Sequence, residues 1–207
     1  MECILIHGQG RSSLSMRVLG LRLRRAGHGV HYFDYFVHRE TFDQIVARLV
    51  NWIKADFADQ AYVLIGHSLG GIIARASLPL LPDHEPQHLI MLAPPNRSPL
   101  LAQYLKDNPI YRALTTDSGS RLANPDFYAE LPLPHVPTTI FAGTLGLRGR
   151  LSPWNDEPND AVVSVRETLL TDDYPVILVP SIHTFIMNSP VVWEHIKRIL
   201  ASVDSKR

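Results

Sequence analysis

One serine in the sequence has the neighbours expected of a reactive nucleophile. The segment Gly66-His67-Ser68-Leu69-Gly70-Gly71 matches the pattern G-x-S-x-G, follows an apolar run and precedes a helical pattern. Such a serine lies on a tight, strained turn between a strand and a helix, and the glycines leave room where a Cβ would clash. The segment therefore predicts that Ser68 is the nucleophile of an acyl-transfer reaction. The alternative is an incidental serine in a glycine-rich turn.

A second glycine-rich segment, His7-Gly8-Gln9-Gly10, directly follows the first apolar run. Acyl transfer passes through a tetrahedral oxyanion, which needs preorganised backbone N–H donors. One donor should come from the residue after the nucleophile, Leu69, and the other from this loop. We predict Gln9 as the second donor, since the glycines on either side let the loop approach a substrate carbonyl.

The general base has to be chosen among ten histidines. His183 follows the last apolar run and precedes the last amphipathic segment, and a strand–serine–helix turn of this kind is paired with a base on that loop. We expect His67 to point away from the serine and His7 to brace its own loop. His183 is therefore the predicted base, with a structural loop histidine as the alternative.

The acid should lie between Ser68 and His183 in the chain, because the order is nucleophile, acid, base. The loop after the run 137–143 contains Asp156, Glu157 and Asp160. We predict Asp160, since the apolar residues that follow it can hold it rigidly while it accepts the Nδ1–H of the histidine. Asp156 is the second candidate and Asp126 a third. For each, a plain surface carboxylate is the alternative.

The elements that position these residues alternate along the chain. Strands are predicted at 2–6, 30–36, 61–66, 88–93, 137–143 and 175–180, and helices at 12–26, 41–57, 68–78 and 190–202. This order predicts a single α/β domain over residues 1–207, with a mostly parallel sheet of about six strands and helices on both faces. The irregular stretch 94–136 is predicted to be a cap or lid insertion.

Amino-acid composition favours some classes of binding partner and cellular compartment over others. The formal net charge is zero and no basic run is present, which argues against nucleic acid as a partner. A single cysteine, Cys3, excludes an internal disulfide framework and a zinc site built from several cysteines. No apolar run reaches the roughly 20 residues that span a bilayer, and no secretory signal precedes the first strand. We therefore expect a cytoplasmic protein without stable membrane insertion.

The ordered motifs resemble those of bacterial α/β-hydrolases related to triacylglycerol lipases and GPI inositol-deacylase-like esterases. The motifs are Ile-His-Gly-Gln-Gly at 6–10, Gly-His-Ser-Leu-Gly-Gly at 66–71, Leu-Ala-Pro-Pro-Asn at 92–96, Phe-Ala-Gly-Thr at 141–144, Asn-Asp-Ala-Val-Val at 159–163 and His-Thr-Phe-Ile-Met at 183–187. The resemblance implies the α/β-hydrolase fold with a small cap after residue 94. It also places the acid on Asp160, with Ala161 where the family usually has glycine.

The residues and the resemblance together predict a serine hydrolase that cleaves small carboxylic esters through an acyl-enzyme. No cofactor and no metal are expected, because the regular oxygen-rich spacing of a calcium loop is missing around Asp156, Glu157 and Asp160. Three alternatives remain: a thioesterase or amidase, a long-chain lipase with the same triad, and a non-catalytic hydrolase-like binding module. Apolar side chains in the stretch 100–114 line an acyl pocket or belong to the core.

Overall fold

The computed structural model describes residues 1–172 and 174–205, without the side chains of residues 111, 114 and 151, and is built on one six-stranded sheet. The strands are β1 (Glu2–Ile6), β2 (Gly29–Phe33), β3 (Tyr62–His67), β4 (His88–Leu92), β5 (Thr138–Gly143) and β6 (Val176–Val179). Their order is β2-β1-β3-β4-β5-β6, and every neighbouring pair is parallel. The expected mostly parallel sheet of six strands is thus fully parallel.

Helices follow the strands as a parallel sheet requires. They are α1 (Arg17–Arg25), α2 (Phe42–Asp56), α3 (Leu69–Ser77), α4 (Leu100–Leu105), α5 (Pro109–Leu122), α6 (Pro125–Glu130), α7 (Val165–Thr168) and α8 (Pro190–Asp204). Across the described ranges, none of these helices combines the length and the apolarity needed to cross a membrane.

Side chains of alternating strand residues enter two separate cores. Ile4 and Ile6 pack on one face of the sheet with α2 and α3, whereas Cys3 and Leu5 pack on the other with α1 and α8. Burial on both faces explains why the strands read as continuous apolar runs. Burial also raises the pKa of the Cys3 thiol to about 12, so this thiol stays protonated in the core.

Most predicted elements are confirmed within one or two residues. The exceptions are α1, which was predicted from residue 12 but begins at Arg17 after a 3₁₀ turn at Ser13–Met16, and β2. The apolar pattern predicted a strand to residue 36, but β2 ends at Phe33 because its partner β1 ends at Ile6, opposite Phe33. Beyond this point the Tyr35 N–H donates to the His7 imidazole Nε2 at 3.2 Å. After β2 the chain leaves the sheet where it contacts the loop that contains His7 and Gln9.

The irregular stretch 94–136 contains three helices, α4 to α6, and no strand among its described residues. Helix α5 is kinked at Thr116, which has φ 50° and ψ −139°. The stretch is fixed to the domain by the buried Arg75 of α3, whose guanidinium donates to the carbonyls of Pro132 and Leu131 at 2.8 and 2.9 Å. The sequence pattern predicted neither the kink nor α6.

Gly70 sets how closely α3 approaches β1, which yields the first testable prediction. A Cβ at residue 70 would lie 2.4 Å from the carbonyl oxygen of His7 and 2.5 Å from that of Ile6. Backbone cannot yield as a side chain can, so we expect Gly70→Ala to lower the free energy of unfolding by about 3 kcal/mol or more. Equilibrium urea denaturation measures the change.

The matched control is Gly71→Ala in the same turn of α3. Its Cβ would lie 3.3 Å from the Cβ of Pro94 and 3.4 Å from the carbonyl oxygen of Gly66, close contacts that shifts of a few tenths of an ångström relieve. We expect a loss below about 1 kcal/mol. Equal losses in the two variants would contradict the close approach of α3 to β1.

Candidate active site

Ser68 lies on the turn between β3 and α3, with φ 52° and ψ −123°. Its own N–H donates to the Leu92 carbonyl at 2.9 Å, and its carbonyl accepts from the Gly71 N–H at 2.9 Å. A Cβ at Gly66 would lie 2.5 Å from the carbonyl oxygen of Gly70, so this residue has to be glycine. The serine therefore occupies a strained conformation that the surrounding backbone enforces.

His183 follows β6 and is paired with Asp160, which follows β5. The two side chains are joined by a 2.7 Å hydrogen bond between the histidine Nδ1 and the Asp160 Oδ2. The other carboxylate oxygen accepts the N–H groups of Val162 and Val163 at 3.0 and 2.7 Å. Asp160 is 1% exposed and His183 7%. The His183 N–H also donates to the Asp160 carbonyl at 2.9 Å, which joins the two loops through their backbones.

The structure brings Asp160, rather than the other two candidates, to His183. Asp156 is exposed, and Asp126 is exposed at the start of α6, next to the capping residue Asn124. The Glu157 carboxylate accepts the Arg166 N–H at 3.1 Å. Within the described ranges, no group of three or more histidine, cysteine or acidic side chains is placed to hold a metal ion.

Ser68 and His183 line the same cavity, which has a volume of about 590 Å³. Within the part of the chain that the structure describes, the Ser68 hydroxyl makes no hydrogen bond to the His183 ring. Catalytic hydrogen bonds in free enzymes are often long and tighten when substrate binds, so this geometry is compatible with a nucleophile and its base. Of the three side chains, Asp160 and His183 are hydrogen-bonded to each other, and Ser68 shares the cavity with His183.

Two backbone N–H groups beside Ser68 are available as donors. Leu69 is the first residue of α3, where N–H groups have no partner inside the helix. Among the described residues, neither the Leu69 N–H nor the Gln9 N–H donates a hydrogen bond. Gln9 lines the cavity, and its side-chain amide donates to the Thr115 carbonyl at 3.3 Å. The Gln9 loop is thereby connected to α5.

The imidazole of His7 holds the Gln9 loop. Its Nδ1 lies 2.8 Å from the Gly8 carbonyl, and its Nε2 accepts the Tyr35 N–H. These partners require a neutral ring with the proton on Nδ1. The ring also stacks on Tyr35 at 4.2 Å, while the Tyr35 hydroxyl donates to the His7 carbonyl at 2.9 Å. Burial lowers the pKa of His7, which keeps this ring neutral.

His67 belongs to the site through a contact that sequence reasoning did not identify. Its buried Nε2 donates to the backbone carbonyl of His183 at 3.0 Å, and its Nδ1 has no partner among the described residues. A Cβ at Gly8 would lie 2.8 Å from that Nδ1, which explains the glycine there. Burial, and then the positive charges of a protonated His183 and of Arg11, keep the pKa of His67 well below its ordinary value. The ring is neutral and steadies the loop of His183.

The rest of the cavity is mainly apolar. Its described apolar lining near the irregular stretch consists of Pro95, Pro99, Leu101, Ala102, Leu105 and Leu122. Tyr104 and Ile110 are instead exposed, and the side chains of Tyr111 and Leu114 lie outside the described residues. Of the apolar side chains in the stretch 100–114, Leu101, Ala102 and Leu105 of α4 thus line the cavity, whereas Tyr104 and Ile110 belong neither to the cavity nor to the core.

Ala161, next to the acid, has φ 78°, a left-handed conformation that favours glycine. The strain is held by its N–H, which donates to the Asn159 Oδ1 at 2.9 Å. We expect Ala161→Gly to raise the free energy of unfolding by about 0.5–1 kcal/mol, since relief of strain outweighs the added freedom of the unfolded chain. Calorimetry should record a midpoint about 2 °C higher.

Ala47 offers the control for this substitution, since it is exposed within α2 and has helical backbone. Ala47→Gly should lower stability by about 1 kcal/mol. If Ala161→Gly were destabilising as well, the left-handed conformation assigned to residue 161 would be wrong.

The low pKa of His67 predicts how stability depends on pH. Below about pH 6.5 the unfolded chain takes up a proton at this histidine that the folded chain does not, so the free energy of unfolding falls as pH falls. The slope from one such proton reaches about 1.4 kcal/mol per pH unit. We expect His67→Gln to remove this contribution between pH 6.5 and 5, as measured by urea denaturation.

His38→Gln, at an exposed histidine, serves as the control and should keep the wild-type slope. An unchanged slope in His67→Gln would show that His67 is protonated in the folded protein, contrary to its buried hydrogen bonding. The His67→Gln variant keeps contributions of the same sign from His7 and His28, whose pKa values burial also lowers.

Solved structures with the same fold include enzymes that act on esters. The mature Bacillus licheniformis lipase BlEst2 superposes with a TM-score of 0.74 at 17% identity, over 96% of this chain and 91% of that one. The metagenomic carboxyl esterase MGS0156 gives 0.75 at 16% identity, over 100% and 76%. Phospholipase PlaB from Legionella pneumophila gives 0.66 at 19% identity, over 82% of this chain, which spans only 46% of PlaB.

Similarity at these identities establishes the fold, and the family follows from the sequence. A search of curated proteins found no significant match. A sequence model of the alpha/beta hydrolase family, in contrast, matches residues 3–206. With the parallel sheet and the strained serine turn, this match over nearly the whole chain shows that the protein belongs to the alpha/beta hydrolase family.

Proposed function

We propose that the protein is a serine hydrolase that cleaves carboxylic esters through an acyl-enzyme on Ser68. The hydrogen bond between His183 and the buried Asp160, at a cavity that Ser68 also lines, is the observation that carries the proposal. The catalytic roles of these residues, and of the Gln9 and Leu69 N–H groups, are part of the proposal.

In the first step His183 accepts the proton of the Ser68 hydroxyl while the serine oxygen attacks the ester carbonyl. A hydrogen bond from Nδ1–H to Asp160 leaves the lone pair on Nε2 to act as the base. The N–H groups of Gln9 and Leu69 receive the negative charge that develops on the carbonyl oxygen. His183 then returns the proton to the leaving alcohol, and an acyl group remains on Ser68.

In the second step a water molecule repeats the attack on the acyl-enzyme. His183 accepts a proton from the water and returns it to the Ser68 oxygen as the carboxylic acid leaves. In both steps the imidazolium that forms lies 2.7 Å from a carboxylate that already accepts two backbone N–H groups. Asp160 can thus stabilise the positive charge without taking up the proton itself.

An ester with an apolar portion is the substrate class that best fits the cavity. Prolines, leucines and an alanine form most of the wall around α4, so part of the substrate would be removed from water. We propose that the stretch 94–136 forms a cap over the site, as the sequence suggested, within a single domain. Thioesters, amides and long-chain lipids are tested beside simple esters, because the same residues can attack each of them.

The decisive prediction concerns p-nitrophenyl esters with acyl chains from acetate to palmitate. We expect the wild type to hydrolyse them, and Ser68→Ala and His183→Ala to lower kcat/KM by about 1,000-fold or more, because each removes a group that acts in the transition state. Asp160→Asn should cost at least about 100-fold, since an amide neither favours the required tautomer nor stabilises the imidazolium.

Asp156→Asn is the matched control, because it alters an exposed carboxylate on the same loop and should keep wild-type activity. A fluorophosphonate probe should label the wild type but not Ser68→Ala. Inert, correctly folded wild type that neither hydrolyses esters, thioesters or amides nor reacts with the probe would overturn the proposal in favour of a binding module.

A further inference from the structure

Two residues after Gln9, the side chain of Arg11 carries a positive charge that faces the cavity. Arg11 is half-buried and lines the cavity together with Ser68 and His183. Its guanidinium makes no ion pair or hydrogen bond with any described residue. Some arginines of the described chain pair with carboxylates, such as Arg48 with Glu40 at 2.6 Å and Arg97 with Asp172 at 2.8 Å. Arg11 differs from the exposed arginines without such a partner in that it lines the cavity.

The acidic side chains around the cavity are already occupied. No aspartate or glutamate is among the described residues that line it. The Asp160 carboxylate is shared between His183 and two backbone N–H groups. Asp34, near the Gln9 loop, accepts the Ser13 N–H at 2.6 Å and lies 3.5 Å from the His7 ring. Arg11 therefore adds a positive charge that no described side chain neutralises.

An unpaired guanidinium beside apolar walls is a site for an oxyanion. Its planar array of N–H donors matches a carboxylate or a phosphate in two parallel hydrogen bonds. Its attraction for an anion is stronger beside low-dielectric walls than in open water. The cavity thus combines an apolar wall at α4 with a cation on the Gln9 loop, while Ser68 opens into the same space.

We propose that Arg11 binds an anionic group of the substrate, so that the preferred ester carries a carboxylate or a phosphate in addition to its apolar portion. This inference rests on the proposed hydrolase function and specifies its substrate class. Arg11 is then a specificity residue. A contribution to the oxyanion of the transition state would differ, because it would act on every ester equally.

Two matched pairs of esters test the inference and locate the anion. p-Nitrophenyl glutarate and p-nitrophenyl pentanoate differ by a carboxylate at the end of the acyl chain, and release of p-nitrophenol follows both. 1-Butyrylglycerol 3-phosphate and monobutyrylglycerol differ by a phosphate on the alcohol, and titration of released acid follows both. We expect the wild type to prefer the anionic member of at least one pair.

In Arg11→Gln we expect kcat/KM for that anionic ester to fall by about tenfold or more, while the neutral ester stays within twofold. Arg11→Lys should retain part of the preference, since it keeps the charge and loses the paired geometry. The charge-matched control Arg17→Gln changes an exposed arginine outside the cavity and should alter neither ester. Added salt should weaken the wild-type preference.

Equal turnover of both members of each pair by the wild type would overturn the inference, and so would an equal fall for both members in Arg11→Gln. In those cases Ser68-dependent hydrolysis of the neutral esters still supports the proposed function. Binding of the same esters to Ser68→Ala, measured by calorimetry, separates the two ideas further. An anion preference in binding that Arg11→Gln abolishes would support the anion site even where no ester is turned over, whereas binding without that preference would refute it.

Discussion

The buried carboxylate of Asp160 is the group on which the geometry of the site depends. A carboxylate that is 1% exposed loses its hydration, and this cost has to be offset by direct partners. The N–H groups of Val162 and Val163 supply two of them and the His183 ring the third. Since these partners belong to the loops after β5 and β6, satisfying one charge fixes two loops at the carboxyl edge of the sheet. The requirement that holds the fold together here is the same one that would orient a catalytic histidine.

The loop of His183 is held from the other side by β3, the strand that ends next to Ser68. His67, the last residue of β3, donates to the His183 carbonyl and immediately precedes Ser68. Any shift of the loop of His183 would therefore break the buried hydrogen bond from His67, which lies in the strand that ends next to Ser68. The cluster is a chain of three residues across the edge of the sheet, from Asp160 to His183 to His67. These contacts place an imidazole beside the cavity without any hydrogen bond from helices α4 to α6 among the described residues.

The sequence was sufficient for the sheet because the four inner strands, β1, β3, β4 and β5, are buried on both faces and so leave continuous apolar runs. The edge strands β2 and β6 are only partly buried but keep enough apolar residues to be recognised. It was sufficient for the serine turn because only glycine fits at Gly66 and Gly70, which makes the pattern specific. The choice between Asp160 and Asp156 could be ranked but not tested, since it depends on which carboxylate the loop turns inward. Local patterns also carry no record of a contact 116 residues apart, such as that of His67 with His183. The kink at Thr116 and the role of Arg75 escaped for the same reason.

The net charge of the chain does not determine the charge at the cavity. Twenty basic and twenty acidic residues cancel in the whole protein, and from this balance no preference for a charged ligand follows. The charges are not evenly distributed, however. Glu40, Asp172 and Asp43 form ion pairs with arginines outside the Gln9 loop, so they do not neutralise Arg11. Asp160 is used within the buried cluster. What remains at the cavity is decided by these pairings, so a neutral protein can still present a locally positive site to its ligand.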